Sequence, residues 1–171
     1  GYELKIHHNL VLDNRHLGID VRGKGIFQEG IVHDIEVSNN TAYRNGIFAR
    51  YGASGTGCGI SLRGGRGLHD VVLRNNISAY NQGWSYALHR GVDRVEHRIR
   101  VDYNLSWPAT LQMVPAQPTN DHPLIGDLPI LADPLFIDPD NYNFGLRKES
   151  PALNTGHPDT KNPDGARGDL G

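Results

Sequence analysis

Leu4-Lys5-Ile6-His7-His8-Asn9, Ile35-Glu36-Val37-Ser38-Asn39-Asn40, Val71-Val72-Leu73-Arg74-Asn75-Asn76 and Ile99-Arg100-Val101-Asp102-Tyr103-Asn104 share one frame. Each opens on apolar-x-apolar and closes on asparagine, and the closing asparagines fall at intervals of 31, 36 and 28 residues. Five residues further on, asparagine recurs at Asn14, Asn45 and Asn81; the fourth copy lacks it, as suits a terminal repeat. Between the asparagines, Leu10, Thr41, Ile77 and Leu105 form one column, and Leu12, Tyr43, Ala79 and Trp107 another. A third run appears in three copies: Gly18-Ile19-Asp20-Val21-Arg22-Gly23, Gly59-Ile60-Ser61-Leu62-Arg63-Gly64 and, more loosely, Tyr86-Ala87-Leu88-His89-Arg90-Gly91. The second copy also carries a Gly- and Ser-rich insertion from about Ile47 to Cys58.

Period-two alternation in short runs split by turn residues is the signature of half-buried strands. No single repeat can bury its own apolar face, so the copies must stack on one another. Three strands per repeat, stacked in register, predict an all-β parallel β-helix of about four coils over residues 1–107. An antiparallel sandwich or barrel is the competitor, but it expects turn signals every 8–12 residues rather than self-similarity near 30. The asparagine columns then have two structural uses. Asparagine tolerates the left-handed conformation of a tight bend, and stacked amides can satisfy one another from coil to coil.

The rest of the composition is consistent with this. Glycine contributes 21 of 171 residues, well above the ordinary share of roughly 7%, which favours many turns over long helices. The net charge of -2 gives no reason to expect nucleic acid or an anionic membrane as partner. Cys58 stands alone, so no internal disulfide can form, and no partner base is signalled beside it. No apolar run is long enough to span a membrane. Gly1-Tyr2-Glu3-Leu4-Lys5-Ile6 reads as the middle of a strand, neither signal peptide nor cap, so further coils are expected upstream.

After Trp107-Pro108 the repeat is lost: residues 108–134 read as a meandering loop that covers the open end of the stack, and residues 108–171 together as an irregular C-terminal capping segment of the same domain. This segment contains Asp133-Pro134-Leu135-Phe136, then Asn141-Tyr142-Asn143-Phe144-Gly145-Leu146, then Ser150-Pro151-Ala152-Leu153-Asn154-Thr155-Gly156, then Arg167-Gly168-Asp169-Leu170-Gly171. The ordered series resembles the C-terminal segment of right-handed parallel β-helix proteins of the pectate-lyase-like superfamily, with the coils upstream in agreement. It departs from that pattern at Gly171, where the superfamily usually continues with a small residue, an aromatic and an acid. The resemblance implies a right-handed helix, a secreted or cell-surface location, and a saccharide groove along the outside of the coils. It implies a carbohydrate-active protein, with β-elimination on an acidic (uronate) polysaccharide as the leading activity. A glycoside hydrolase, or a non-catalytic glycan-binding or structural module of tailspike or adhesin type, stays open beside it, since fold does not fix function.

Chemistry would sit on outward side chains. In the third strand Ile19 and Val21 point inward, so Asp20 and Arg22 point out, as do Ser61 and Arg63 one coil later. Arg90 falls in the same column, and Lys24 lies just beyond the first Arg-Gly. Arg22, Arg63 and Arg90 would stand at steps of about 4.8 Å, a strip suited to gripping carboxylates two-handedly. The same arginines could instead pair with Asp20, Asp93 and Glu96. A second column, His33, His69 and His97, reads as turn-stabilising polar residues more than as a base or metal ligand. No zinc motif is present, so no metal ligand is assigned and no cofactor is evident. Calcium enters only through the resemblance, with Asp133, Asp138 and Asp140 as its oxygen donors. Trp84, Tyr86 and Tyr51 are candidates for stacking on sugar rings. No catalytic residue can be assigned, and paired carboxylates for hydrolysis are not readable across coils.

Overall fold

A computed structural model of the chain describes residues 4–23, 31–47, 57–63, 67–88, 95–108, 122–123 and 127–171. The first repeat yields β1 (Leu4–His7), β2 (Leu10–Leu12) and β3 (Ile19–Arg22); the second yields β4 (Ile35–Ser38), β5 (Thr41–Tyr43) and β6 (Ile60–Arg63). The third yields β7 (Val71–Arg74), β8 (Ile77–Ala79) and β9 (Tyr86–Leu88), and the fourth β10 (Arg100–Asp102) and β11 (Leu105–Trp107). Like strands of successive repeats pair in parallel. They build a first sheet β1-β4-β7-β10, a second sheet β2-β5-β8-β11, and a third sheet β3-β6-β9. The register is the sequence register: Leu4 pairs Ile35 and Ile35 pairs Val71, while Leu10, Thr41, Ile77 and Leu105 align in turn. The chain is therefore all-β with stacked parallel strands, compatible with a parallel β-helix. Parallel pairing throughout these three stacks overturns the sandwich alternative.

The alternation explains the interior. Ile35, Val37, Val71, Leu73 and Val101 from the first sheet meet Ile19, Val21, Ile60, Leu62, Tyr86 and Leu88 from the third, with Ala42 from the second, in one buried cluster. Strands of three or four residues bury at most three side chains each. Stability has to come from repetition.

At the corner between the first and second sheets the asparagines form a continuous ladder. Asn9 N–H and Nδ2 donate to Asn40 Oδ1 at 3.1 and 2.9 Å. Asn40 does the same to Asn76 at 3.0 and 3.0 Å, and Asn76 to Asn104 at 3.0 and 2.9 Å. Each amide also donates to backbone carbonyls of the bend: Asn40 Nδ2 to Ile6 O and Ser38 O, Asn76 Nδ2 to Val37 O and Arg74 O. A parallel ladder runs Asn14–Asn45–Asn81 at the next corner. One expectation is corrected: the ladder asparagines do not take the left-handed conformation. That falls one residue earlier, at His8, Asn39, Asn75 and Tyr103, and in further columns at Asp13, Arg44 and Tyr80 and at Asp34, Asp70 and Arg98. The chain changes direction before the asparagine, which leaves its amide free to lie along the stack. Left-handed backbone at His, Tyr and Arg costs about 1 kcal/mol or more per residue. The stacked hydrogen bonds impose it.

The C-terminal residues divide. β12 (His122–Pro123) pairs antiparallel with β9, and Asp127 and Ile130 bridge in parallel to Asp102 and Leu105, beyond the fourth repeat. This is where a cap is expected. Residues 133–171 lie against the outward face of the second sheet. β13 (Phe136–Asp138), a single 3-10 turn (Pro139–Asn141) and β14 (Asn143–Leu146) form a hairpin whose Phe136 and Phe144 pack edge-on against Tyr43. Tyr43, Ile77, Ala79, Leu105, Phe136, Ala152 and Leu170 make a second buried cluster. The reason is already in the strands: β5 and β8 are buried at every position, so each face needs a cover. Polar anchors hold it: Tyr80 OH donates to Asp133, Arg44 pairs with Asp140, and Asn75 Oδ1 accepts from His157 N–H. Burial first, then the Asp133 carboxylate, pushes the Tyr80 phenol up to about 12.

Replacing Asn76 by leucine removes an amide with donors and acceptors on both neighbouring repeats and leaves buried carbonyls unpaired. A loss of about 3 kcal/mol or more is expected. Asn9→Leu, at the exposed end of the same ladder, should cost less than about 1 kcal/mol. Denaturant unfolding of the two variants checks the order, and equal losses would contradict the ladder.

Candidate functional site

Residues 133–171 cover the second sheet, and on the third sheet Ser61 and Ala87 are buried as well, so its exposed outward side chain among the described residues is Arg22. On the third sheet, β3 and β6 pair so that Asp20 aligns with Ser61 and Arg22 with Arg63. The sequence places these four outward, and the structure brings them together. Asp20 sits at the centre: its carboxylate pairs with Arg22 Nε at 2.6 Å and with Arg63 Nε at 2.9 Å, and accepts the Ser61 hydroxyl at 2.6 Å. One carboxylate thus bridges two guanidiniums on adjacent strands, which offsets the repulsion that two like charges at that spacing would feel. The arrangement leaves one net positive charge among the three groups.

The members differ in access. Arg22 is 61% exposed along its side chain, while Arg63 and Asp20 are largely covered. Ser61 is fully buried; it was expected among the outward residues as a surface group, and instead serves as a support for Asp20. Arg22 meets Asp20 through Nε, and its side chain is largely exposed. A guanidinium held at one edge and free at the other can receive a carboxylate in a two-point grip with little further loss of side-chain freedom. Arg90 and Lys24, the other two candidates of this strip, lie outside the described residues, as does Tyr51. Trp84 is half-buried ahead of β9. Tyr86 is no surface aromatic: it is buried, and its hydroxyl donates to Asn76 O and Leu105 O.

The histidine column is real as a stack. His69 and His97 lie ring on ring, 4.8 Å between centroids, with His97 buried. His33 Nδ1 meets Asp34 at 2.8 Å. These residues occupy the turns that lead into the first sheet, in keeping with a turn-stabilising use. The acids near the C-terminus do not converge: Asp133 engages Tyr80 and Leu135 N–H, Asp138 engages Asn141, and Asp140 engages Arg44. Among the described residues no group of three or more His, Cys, Asp or Glu side chains is placed to hold a metal ion.

One polar face was not singled out in the sequence. The first sheet turns Lys5, Glu36, Arg74, Arg100 and Asp102 outward, with Arg74 donating to Glu36 at 3.2 Å and Arg100 3.8 Å from Asp102. The signal was available, since the x of every apolar-x-apolar opening points outward. Burial pushes the Glu36 carboxyl up, but hydrogen bonds from Arg74 and Ser38 outweigh it and hold the group below its ordinary value. At the neighbouring turn, Arg98 grips both Asp70 oxygens and holds that carboxyl below its usual range.

Comparison with known proteins finds no matching family model, no matching curated protein and no matching solved structure.

Both lowered carboxyls carry the same sign. Their stabilisation is complete above the unfolded values of 4.5 for Glu36 and 3.8 for Asp70, and disappears as pH falls through the lower folded values. Both pairs are exposed to solvent and screened by it, so each contribution is small. Unfolding free energies measured between pH 5 and 2 should fall less steeply for Glu36→Gln and Asp70→Asn than for the unaltered chain.

Proposed function

We propose that this chain is part of a right-handed parallel β-helix of the pectate-lyase-like kind, in one domain with its C-terminal segment, and that it binds an acidic polysaccharide along the outward face of the third sheet. The observation that carries this reading is the Asp20-bridged pair of arginines. Arg22 and Arg63 stand on adjacent strands, about 4.8 Å apart by strand spacing, with the exposed Arg22 edge turned to solvent. The carboxylates of a uronate polymer carry the complementary charge and suit the guanidinium fork. Arg90 and Lys24 would extend the strip on either side.

If the reaction is β-elimination, a base takes the proton from the carbon next to the carboxylate and the glycosidic C–O bond on the adjacent carbon breaks, leaving an unsaturated sugar. An arginine on the carboxylate makes that proton easier to remove by neutralising the developing charge. Asp20 is not suited to be the base. Both its oxygens are already engaged, Oδ2 by Arg22 and Oδ1 by Arg63 and the Ser61 hydroxyl. That favours a second reading, a non-catalytic glycan-binding module with the same strip as its binding face. Calcium between glycan and protein belongs to the lyase reading and rests on the superfamily resemblance, as does a secreted or cell-surface location.

Titrating the chain with a polyuronate and with a neutral glycan of similar length separates these readings. Binding to the polyuronate that weakens with salt is expected, with the affinity falling roughly tenfold in Arg22→Ala. Absorbance of an unsaturated product would establish the lyase, and binding without product the module. Equal affinity for the neutral glycan, or no effect of Arg22→Ala, would remove the strip from consideration.

A further inference from the structure

Neighbouring residues of a strand project to opposite faces, yet His7 and His8 meet. Their Nδ1 atoms lie 2.8 Å apart, and the rings stand edge to face, 5.1 Å between centroids at 89°. The left-handed backbone at His8 (φ 54°) brings this about: it breaks the alternation at the end of β1 and swings the second imidazole to the side of the first. The stack sets that conformation, not the histidines. The same place in the later repeats, at Asn39, Asn75 and Tyr103, is left-handed too, and the His8 N–H donates to Asn39 O at 3.0 Å. On the other flank Asn9 Nδ2 donates to the His7 carbonyl at 3.0 Å. The fold thus preorganises two imidazoles before any ligand arrives. Further along this column the C-terminal segment takes the corner: Asn39 donates to Asp169 O, Asn75 accepts from His157 N–H, and the His157 ring and Arg167 lie against Tyr103. His8 turns to His7 instead, and both residues are exposed.

We propose that His7 and His8 form a chelating site for a divalent transition-metal ion that favours nitrogen ligands at right angles, nickel(II) or copper(II). An ion roughly 2.0 Å from two imidazole nitrogens holds them about 2.8 Å apart when the angle at the metal is 90°, and about 3.3 Å apart when it is tetrahedral. The 2.8 Å between the two Nδ1 atoms fits the first arrangement, that of square-planar and tetragonal sites; zinc would have to push the rings apart. Without metal, two bare lone pairs at this distance would repel, so one Nδ1 carries a proton and donates to the other. On binding, the donor ring gives up that proton from Nδ1 and takes one at Nε2 by exchange with water. Small rotations of the exposed rings then aim both Nδ1 lone pairs at the ion. Water fills the remaining positions, which leaves room for a further ligand. The pair sits at the corner between the first and second sheets, on a different face from Arg22, and does not depend on the glycan proposal.

Calorimetric titration of the full chain with Ni2+, and separately with Zn2+, tests the site. Ni2+ should bind more tightly than Zn2+. His7→Ala removes one ring; His8→Gly removes the other and suits the left-handed backbone there. Each should lower the Ni2+ affinity roughly tenfold or more. The double variant should lose no more than either single one, because a chelate fails when either arm is gone. Cu2+ bound to the unaltered chain should show nitrogen splitting from two imidazoles in its electron paramagnetic resonance spectrum, a readout that needs no variant. Four results would overturn the proposal: no Ni2+ binding, an affinity unchanged in either single variant, losses that add in the double variant, or Zn2+ held more tightly than Ni2+.

Discussion

The hydrogen bond from one asparagine amide to the next is the constraint on which the rest of the structure leans. A bend between two three-residue strands leaves carbonyls pointing inward with no strand partner, and burial makes each of them costly. The ladder amide answers several at once: Asn40 meets the carbonyls of Ile6 and Ser38 and the side chain of Asn76 in a single position. Because the partner is always one repeat away, the interaction also sets the register between repeats. Intervals of 31, 36 and 28 residues are tolerated because the extra length is spent between strands, away from the asparagine corner.

That register has a chemical consequence on the third sheet. It sets Arg22 directly over Arg63 and Asp20 over Ser61, so a repeat that exists for stacking also generates a strip of like side chains. Two arginines at strand spacing are tolerable only with an acid between them, and Asp20 supplies it. The same periodicity on the first sheet gives a mixed row instead, Lys5, Glu36 and Arg100 beside Arg74 and Asp102, in which charges largely answer one another. On the third sheet the exposed member of the set is Arg22.

The second sheet shows how a repeat can serve two cores. Val11 and Ala42 face the interior of the stack, while Leu12, Tyr43, Ile77, Ala79 and Leu105 face outward and would expose a broad apolar stripe without a cover. Residues 133–171 provide that cover with Phe136, Phe144, Ala152 and Leu170. This removes the outward face of the second sheet from any binding role.

Much of this was legible in one dimension. The asparagine columns, the three strands per repeat, the parallel register and the outward placement of Asp20, Arg22 and Arg63 all follow from local alternation and from spacing. Those properties are carried by the chain itself, since a strand's period and a repeat's interval do not depend on what packs against them. What tertiary structure alone decided is which residue makes the bend, which face the C-terminal segment covers, and that Ser61 is buried while Asp20 is shared between two arginines. Each of these depends on groups tens of residues apart meeting in space. Charge partners and covers belong to the packed whole, whereas the burial of Tyr86 also follows from its register with Ile60.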